Sequence, residues 1–449
     1  MTTAPIVANP RQPSLPNAPW LTARDQEWFG DHLSRWLGAG ARIKTPPPAP
    51  RAFLPSPTRA ALSSDRPRVV AEFFEGCLRV YLAVLAGDVP REVGAALYGD
   101  LPEHLGLEFH RSLGAAAVTA PHSFRTDESL DGKIFEIQAP GSGWGEYLLA
   151  VEYLADLAGS HDRDTLGTDG EATAIAYTSA LRQALGTVDP CVMYLIDTAG
   201  GQTGVRYFLE RTRAAGTFYF GLDPGIGADD VHHIRSHNLA SLFTEHRPAL
   251  HLARALDEPF LYDQSLNSMF YSKVTTALPF WRHTRSLFSD RDRDLFPYTA
   301  ILEADGVQMP DGRLASRAAF AHELARRPYL LKYAGSDPYS GSGGTGIHLL
   351  DGASTRSLEL LNQAWDQSAT GRTWIVQEAV FGPYPEWDEQ FPDVPGRVPK
   401  LSVLCALGTV LGSMILAGTR TIVHAGGSAA LAVCGSVCAS PVDSDGVSL

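Results

Sequence analysis

A lysine followed by a run of glycines offers the first chemistry in this chain. Lys332 lies in the apolar stretch YLLKYAG (329–335), and Ser340-Gly341-Ser342-Gly343-Gly344-Thr345-Gly346 follows a few residues later. Glycines allow backbone N–H groups to approach phosphate oxygens closely, and a lysine on an adjoining strand would add a fixed positive charge to the same anion. A flexible hairpin tip beside a surface lysine has the same composition. Gln377-Glu378 lies in the hydrophobic run WIVQEAV (374–380). In such a lobe an adenine-binding hinge is expected there, with a carboxylate for the ribose hydroxyls; an edge strand with two solvent-facing polar residues is the other reading. Arg420 ends an uncharged stretch at 401–419, and a buried arginine needs an anionic partner such as a triphosphate.

Phosphoryl transfer to a carboxylate brings two anions together. At about 4 Å, two like unit charges repel by about 4 kcal/mol even in a moderately polar site, so cations must converge. Magnesium is the usual solution, held by one or two carboxylates with an amide or water. Asp127, Glu136 and Gln138 offer such a set. Strand alternation puts Glu136 and Gln138 on one face, with Asp127 on the preceding segment; a surface strand with its polar residues outward would look alike.

These residues need elements to hold them. KIFEIQAP (133–140) reads as a strand after the turn at Asp131-Gly132, and GSGWG then leads into the amphipathic helix EYLLAVEYLADL. The order CVMYLID, TGVRYFLERTRAAG, TFYFGLD (191–223) is strand, helix, strand, which predicts a parallel, Rossmann-like lobe. The intervening TAGGQTG lacks a Walker lysine or a GxGxxG frame and reads as a plain turn. Val231-His232-His233-Ile234-Arg235-Ser236-His237 reads as solvated loop histidines rather than a metal site. From about residue 300 the pattern is helix (SRAAFAHELARR), strand (329–335), glycine loop, strand (IHLL), helix (STRSLELLNQAWDQ), strand (374–380) and a run of strands over 401–434. That order describes an α+β lobe able to close over a nucleotide. The prolines of TPPPAPRAFLPSP precede a helix over RVVAEFFEGCLRVYLAVLAG.

Bulk properties set limits. With 449 residues, 44% hydrophobic and 19% charged, the chain is globular and long enough for two or three lobes. A net charge of −13 without a basic stripe argues against nucleic-acid partners. The uncharged stretch 401–419 approaches spanning length, but its β-branched residues, Gly408 and Gly412 suit two strands and a tight turn, so no membrane partner is expected. The N-terminal segment reads as a flexible leader with neither signal nor transit character. The five scattered cysteines suit reduced core thiols in the cytoplasm.

The segment FRTDESLDGKIFEIQAPGSGWGEYLLAVEYL (124–154) resembles the metal-binding region of the circularly permuted ATP-grasp ligases typified by glutathionylspermidine synthase. In that family Arg-x-Asp and then Glu-x-Asn precede the nucleotide lobe; Gln138 stands here where the family has asparagine. The resemblance assigns Arg125 to the reacting phosphate and carboxylate, and Asp127, Glu136 and Gln138 to magnesium. LNSMFYSKVTTALPFW (266–281) is similar to the family's first nucleotide-lysine segment, placing Lys273 over the phosphates, and LFPYTAIL to the stretch that follows. Lys332 matches the second lysine, residues 340–346 with Ser342, Gly343 and Gly344 the phosphate-covering loop, Gln377 and Glu378 the hinge, and Arg420 the arginine of the final hairpin.

The expected fold is therefore mixed α/β and α+β, a permuted ATP-grasp with a Rossmann-like lobe. Its segments are a leader (1–20), a mostly helical region (21–120), the metal-binding strand and helix (121–185), the Rossmann-like lobe (186–265), the nucleotide-binding lobes (266–438) and a tail (439–449). The implied activity is a cytoplasmic ligase that uses ATP and Mg²⁺ to join a small carboxylic acid to a small amine through an acyl phosphate, with a γ-glutamyl or similar dipeptide as one such product. A nucleotide-binding module without catalysis and a small-molecule kinase are the competing readings.

Overall fold

Alternation of polar and apolar residues along 123–138 and 398–416 forms strands whose two faces bury different things, and the site grows from one of them. The computed structural model describes residues 23–38, 50–54, 65–101, 106–114, 118–139, 144–158, 170–185, 191–195, 203–213, 217–220, 233–236, 261–262, 265, 267–335, 346–352, 354–380, 398–418 and 428–434. Three sheets are present among them.

The first sheet joins β1 (Pro50–Leu54), β2 (Ser123–Glu128), β3 (Ile134–Gln138), β14 (Val398–Ala406), β15 (Thr409–Gly418) and β16 (Ser428–Cys434), side by side in the order β1-β16-β15-β14-β2-β3. All its neighbours are antiparallel except β1 and β16. Strands from the 121–185 and 266–438 segments thus share one sheet. The uncharged stretch at 401–419 forms most of the β14–β15 hairpin. Leu407 (φ 51°) and Gly408 (φ 80°) both adopt positive φ at its tip, the conformation a two-residue hairpin turn requires. Among the described residues no helix is long and apolar enough to cross a membrane.

The second sheet is parallel, with β4 (Cys191–Leu195), β5 (Thr217–Phe220), β6 (His233–Ser236) and β7 (Leu261–Tyr262) in the order β5-β4-β6-β7. The predicted strand-helix-strand unit appears as β4, the helix Thr203–Arg213 and β5. One expectation is corrected: His233–Ser236 is strand β6, not loop. Its Ile234 aligns with Met193 of β4, so the segment extends a parallel ladder, a long-range pairing that outweighs the local Gly- and Asp-rich context.

The third sheet contains β8 (Thr299–Glu303), β9 (Gly306–Gln308), β10 (Leu314–Ala315), β11 (Tyr329–Tyr333), β12 (Ile347–Leu350) and β13 (Trp374–Glu378), in the order β10-β9-β8-β13-β11-β12. It is antiparallel throughout.

Helices cover these sheets according to their apolar faces. Helix α1 spans Ala23–Leu37, α2 Arg66–Ala86, α3 Trp144–Ala158, α4 Gly170–Leu185, α5 Thr203–Arg213, α6 Arg317–Leu324 and α7 Thr355–Ser368. Phe124, Leu401, Val403 and Cys405 of the first sheet share a core with Val70, Phe74 and Cys77 of α2. On the opposite face Leu404, Met414 and Leu416 pack with Tyr147, Leu148 and Val151 of α3. In the third sheet Leu331, Tyr333, Trp374 and Val376 face α6 and α7. Ile301 and Ile375 face the other way and join the α2 core through Val274 and Ala277. The two antiparallel sheets are therefore joined by the segment that carries Lys273.

Two glycines should respond oppositely to a methyl group. Gly30 of α1 has nothing within 4 Å of a Cβ, whereas a Cβ on Gly145 would fall 1.7 Å from the carbonyl oxygen of Gly204, where α3 crosses α5. Gly30→Ala is expected to stabilise the protein by about 0.5–1 kcal/mol through helix propensity, and Gly145→Ala to destabilise it by about 2–3 kcal/mol by forcing the helices apart. Urea unfolding of the two variants checks both.

Candidate active site

Pairing register assembles the polar face. Across β2 and β3, Arg125 lies opposite Gln138 and Asp127 opposite Glu136; across β2 and β14, Asp127 lies opposite Ser402. Lys400, two residues before Ser402, shares that face. Asp127 is 3% exposed. Its Oδ2 accepts from Lys400 Nζ at 2.8 Å and Arg125 Nη2 at 3.1 Å, and its Oδ1 accepts from Ser402 Oγ at 2.7 Å and faces Arg125 Nε at 3.0 Å. Burial alone would push the Asp127 carboxyl up; Arg125, Lys400 and the Ser402 hydroxyl outweigh it and hold it well below the usual carboxylate range.

Lys332 reaches this face from the third sheet. It is 3% exposed, and its ammonium donates to Gln377 Oε1 at 2.6 Å and to the carbonyl oxygen of Phe135 on β3 at 3.1 Å. Both acceptors are neutral. Gln377, fully buried, donates in turn to Thr299 Oγ1 at 3.0 Å, which fixes its carbonyl toward the lysine. Burial lowers the Lys332 pKa to about 8; Glu136 and Asp127 resist the shift, and Lys273 and Lys400 add to it. Lys273 Nζ lies 3.6 Å from Glu136 Oε1. Its segment is a short 3-10 turn, Lys273–Ala277, capped by Ser272, whose hydroxyl also donates to the carbonyl of Ala334 just beyond β11.

Four cations, Arg125, Lys273, Lys332 and Lys400, thus surround two carboxylates, Asp127 and Glu136, where the two antiparallel sheets meet. The arrangement suits a polyanion: fixed positive charge exceeds negative charge, and the low-dielectric surroundings strengthen its pull. The glycine-rich segment springs from the same place. Lys332 pairs with Ile347 across the β11–β12 hairpin, and Tyr333 N donates to Gly346 O at 2.8 Å. Ser342, Gly343, Gly344 and Arg420 lie outside the described residues.

The structure brings together Arg125, Asp127, Glu136, Gln138, Lys273, Lys332 and Gln377 from the expected set. Glu378 points away: Tyr329 lies opposite it, and its carboxylate accepts from Arg327 at 2.9 Å. The N–H group of Glu378 donates to Tyr298 O, so the backbone donor of the expected hinge at that position is already used; the next N–H, of Ala379, donates to Pro328 O. For magnesium, Glu136 and Gln138 are adjacent on one face of β3 and fit a carboxylate-plus-amide set completed by phosphate oxygens and water. Asp127 does not fit, because four donor atoms surround its two oxygens. Lys400, Ser402 and Thr299 went unassigned from sequence. A lysine and a serine alternating with Leu401 and Val403 were the available signal for the first two.

No protein-family model matches the chain, and no curated protein sequence matches it. Among solved structures it is similar to one from Methylobacillus flagellatus KT that carries the provisional name gamma-glutamylcysteine synthetase, with a TM-score of 0.40 and 12% identity over 82% of this chain and 86% of that one.

Lys332 makes stability depend on pH. The folded state holds its pKa near 8 against 10.5 for a free lysine, so the native state binds this proton less tightly than the unfolded chain does. The stability it withholds returns as pH rises through 8, by about 1 kcal/mol between about pH 7 and 9. Lys332→Met should abolish that increment, and denaturant unfolding of wild type and variant at the two pH values measures it.

Proposed function

We propose that this chain is an ATP-dependent ligase of the permuted ATP-grasp type that joins a small carboxylic acid to a small amine, releasing ADP and phosphate. The observation that carries the reading is the buried Lys332 ammonium, held by two neutral acceptors, one on each of the two antiparallel sheets, beside Lys273, Arg125 and the Glu136 strand. An anion of high charge is the complement such a site lacks, and the glycine-rich hairpin rooted beside Lys332 suits phosphate oxygens. The order of motifs along the chain, with Arg125 to Gln138 ahead of both lysines, is the permuted one.

In this reading Lys332 and Lys273 bind the phosphates of ATP, and Arg125 orients the acid's carboxylate against the γ-phosphate. Glu136 and Gln138 would hold magnesium, which when bound neutralises phosphate charge. The carboxylate oxygen forms a bond to the γ-phosphorus as the bond to ADP breaks, giving an acyl phosphate. The amine then attacks the acyl carbon, Arg125 stabilises the oxyanion that develops there, and phosphate leaves as the amine gives up its proton. Exclusion of water from the site would protect the acyl phosphate from hydrolysis. Gln377 holds the Lys332 ammonium without adding a negative charge of its own, because its amide oxygen is a neutral acceptor.

Purified protein given MgATP and mixtures of amino acids and polyamines should release ADP and phosphate only when acid and amine are both present. Release of AMP, or a stable phosphorylated product without free phosphate, would contradict the reaction; ATP bound without turnover in any mixture would favour a binding module. In the same assay Gln377→Glu should raise the KM for ATP by about 10-fold or more, since a carboxylate at that position neutralises Lys332 and repels phosphate.

A further inference from the structure

Asp127 is the carboxylate that the family resemblance assigns to magnesium, yet it is the centre of an ion-pair cluster. A carboxylate offers about four lone-pair sites. Here three are taken by hydrogen bonds from Ser402 Oγ at 2.7 Å, Lys400 Nζ at 2.8 Å and Arg125 Nη2 at 3.1 Å, and Arg125 Nε lies 3.0 Å from Oδ1 in an ionic contact. The donors are built into the sheet: Arg125 is two residues back on the same strand, Ser402 is the cross-strand partner, and Lys400 is the next residue on that face of β14. A divalent cation could coordinate Asp127 only by displacing one of these strand-borne cations from a buried position.

We propose that Lys400 takes the place of a divalent cation at Asp127. Its ammonium and the Arg125 guanidinium are then permanent parts of the anion site, and the site binds one metal ion, at Glu136 and Gln138, with none at Asp127. Two observations agree. Lys400 lies close enough to Lys332 to disfavour its protonation, which puts both ammonium groups at the same cleft. Glu136, the cross-strand neighbour of Asp127, has among the described residues the looser contact with Lys273 at 3.6 Å and is 23% exposed at its side chain, against 4% for Asp127, so metal access differs sharply between the two carboxylates. Part of the positive charge on the site would then be independent of magnesium concentration.

The proposal rests on the nucleotide-binding reading, but its readout is metal stoichiometry rather than turnover. Equilibrium dialysis of the protein with Mn²⁺ and saturating AMP-PNP should give one bound ion per chain for wild type and two for Lys400→Met, which removes the closer of the two cationic donors on Asp127 Oδ2. Asp127→Asn should retain one. Two ions on wild type, one on Lys400→Met, or loss of the ion in a folded Asp127→Asn protein would overturn the assignment. Failure of the nucleotide reading shows separately, as absence of AMP-PNP binding. In that event the comparison is made with Mn²⁺ alone: an extra ion on Lys400→Met supports the proposal, and equal counts overturn it.

Discussion

The rest of the structure is organised around a buried ammonium group whose hydrogen-bond acceptors among the described residues are neutral. Holding Lys332 charged in that position costs about 3 kcal/mol at neutral pH, judged from a pKa lowered to about 8. A fold bears such a cost when the group serves something other than stability, since an apolar side chain of similar length would pack there without it. The acceptors chosen for the ammonium, an amide oxygen and a backbone carbonyl, hydrogen-bond it without adding negative charge, so that only the through-space pull of Glu136 and Asp127 opposes the desolvation. A polyanion bound beside Lys332 would offset that desolvation with favourable charge.

The neighbouring carboxylates show how the balance of donors against burial decides charge state in this sheet. Asp127 and Glu128 are consecutive, both buried, and point to opposite faces. On the site face Asp127 has Arg125, Lys400 and Ser402, and its pKa is held low despite desolvation. On the core face Glu128 is buried among apolar side chains with Arg66 at 2.8 Å and the Thr126 hydroxyl; desolvation outweighs them and raises its pKa to about 7. The polar face of β2 is thus committed to fixed charges, while the opposite face anchors α2 through one ion pair in the core. This division gives the site a rigid floor, and the third sheet lowers Lys332 onto it.

Much of the local architecture was legible because it is written in short-range pattern. The strand at 329–333, the helix at 355–368 and the strand at 374–378 follow from alternation or helical spacing bounded by turn residues. Within the site, Lys332 and Gln377 are marked by their apolar runs and Glu136 by strand alternation with Gln138, whereas Lys273 follows only from the family resemblance. What stayed hidden is long-range register. Nothing near Asp127 in sequence indicates that Lys400 and Ser402, some 275 residues away, will pair with it; that follows from β14 completing the sheet that β2 and β3 begin. The position of Glu378 depends on register in the same way: alternation puts it on the opposite face from Gln377, and the pairing with Tyr329 shows which face meets Lys332.

The most direct test of this account is the charge state of Lys332 with and without a bound polyanion. In protein labelled with ¹³C at the lysine ε carbons, the Lys332 resonance, assigned by its loss in Lys332→Met, should titrate near pH 8 in the free protein. Saturation with AMP-PNP should move that midpoint upward by a unit or more, as the phosphates restore the favourable charge. A midpoint near 10.5 in the free protein, or one that AMP-PNP leaves unmoved, would contradict it.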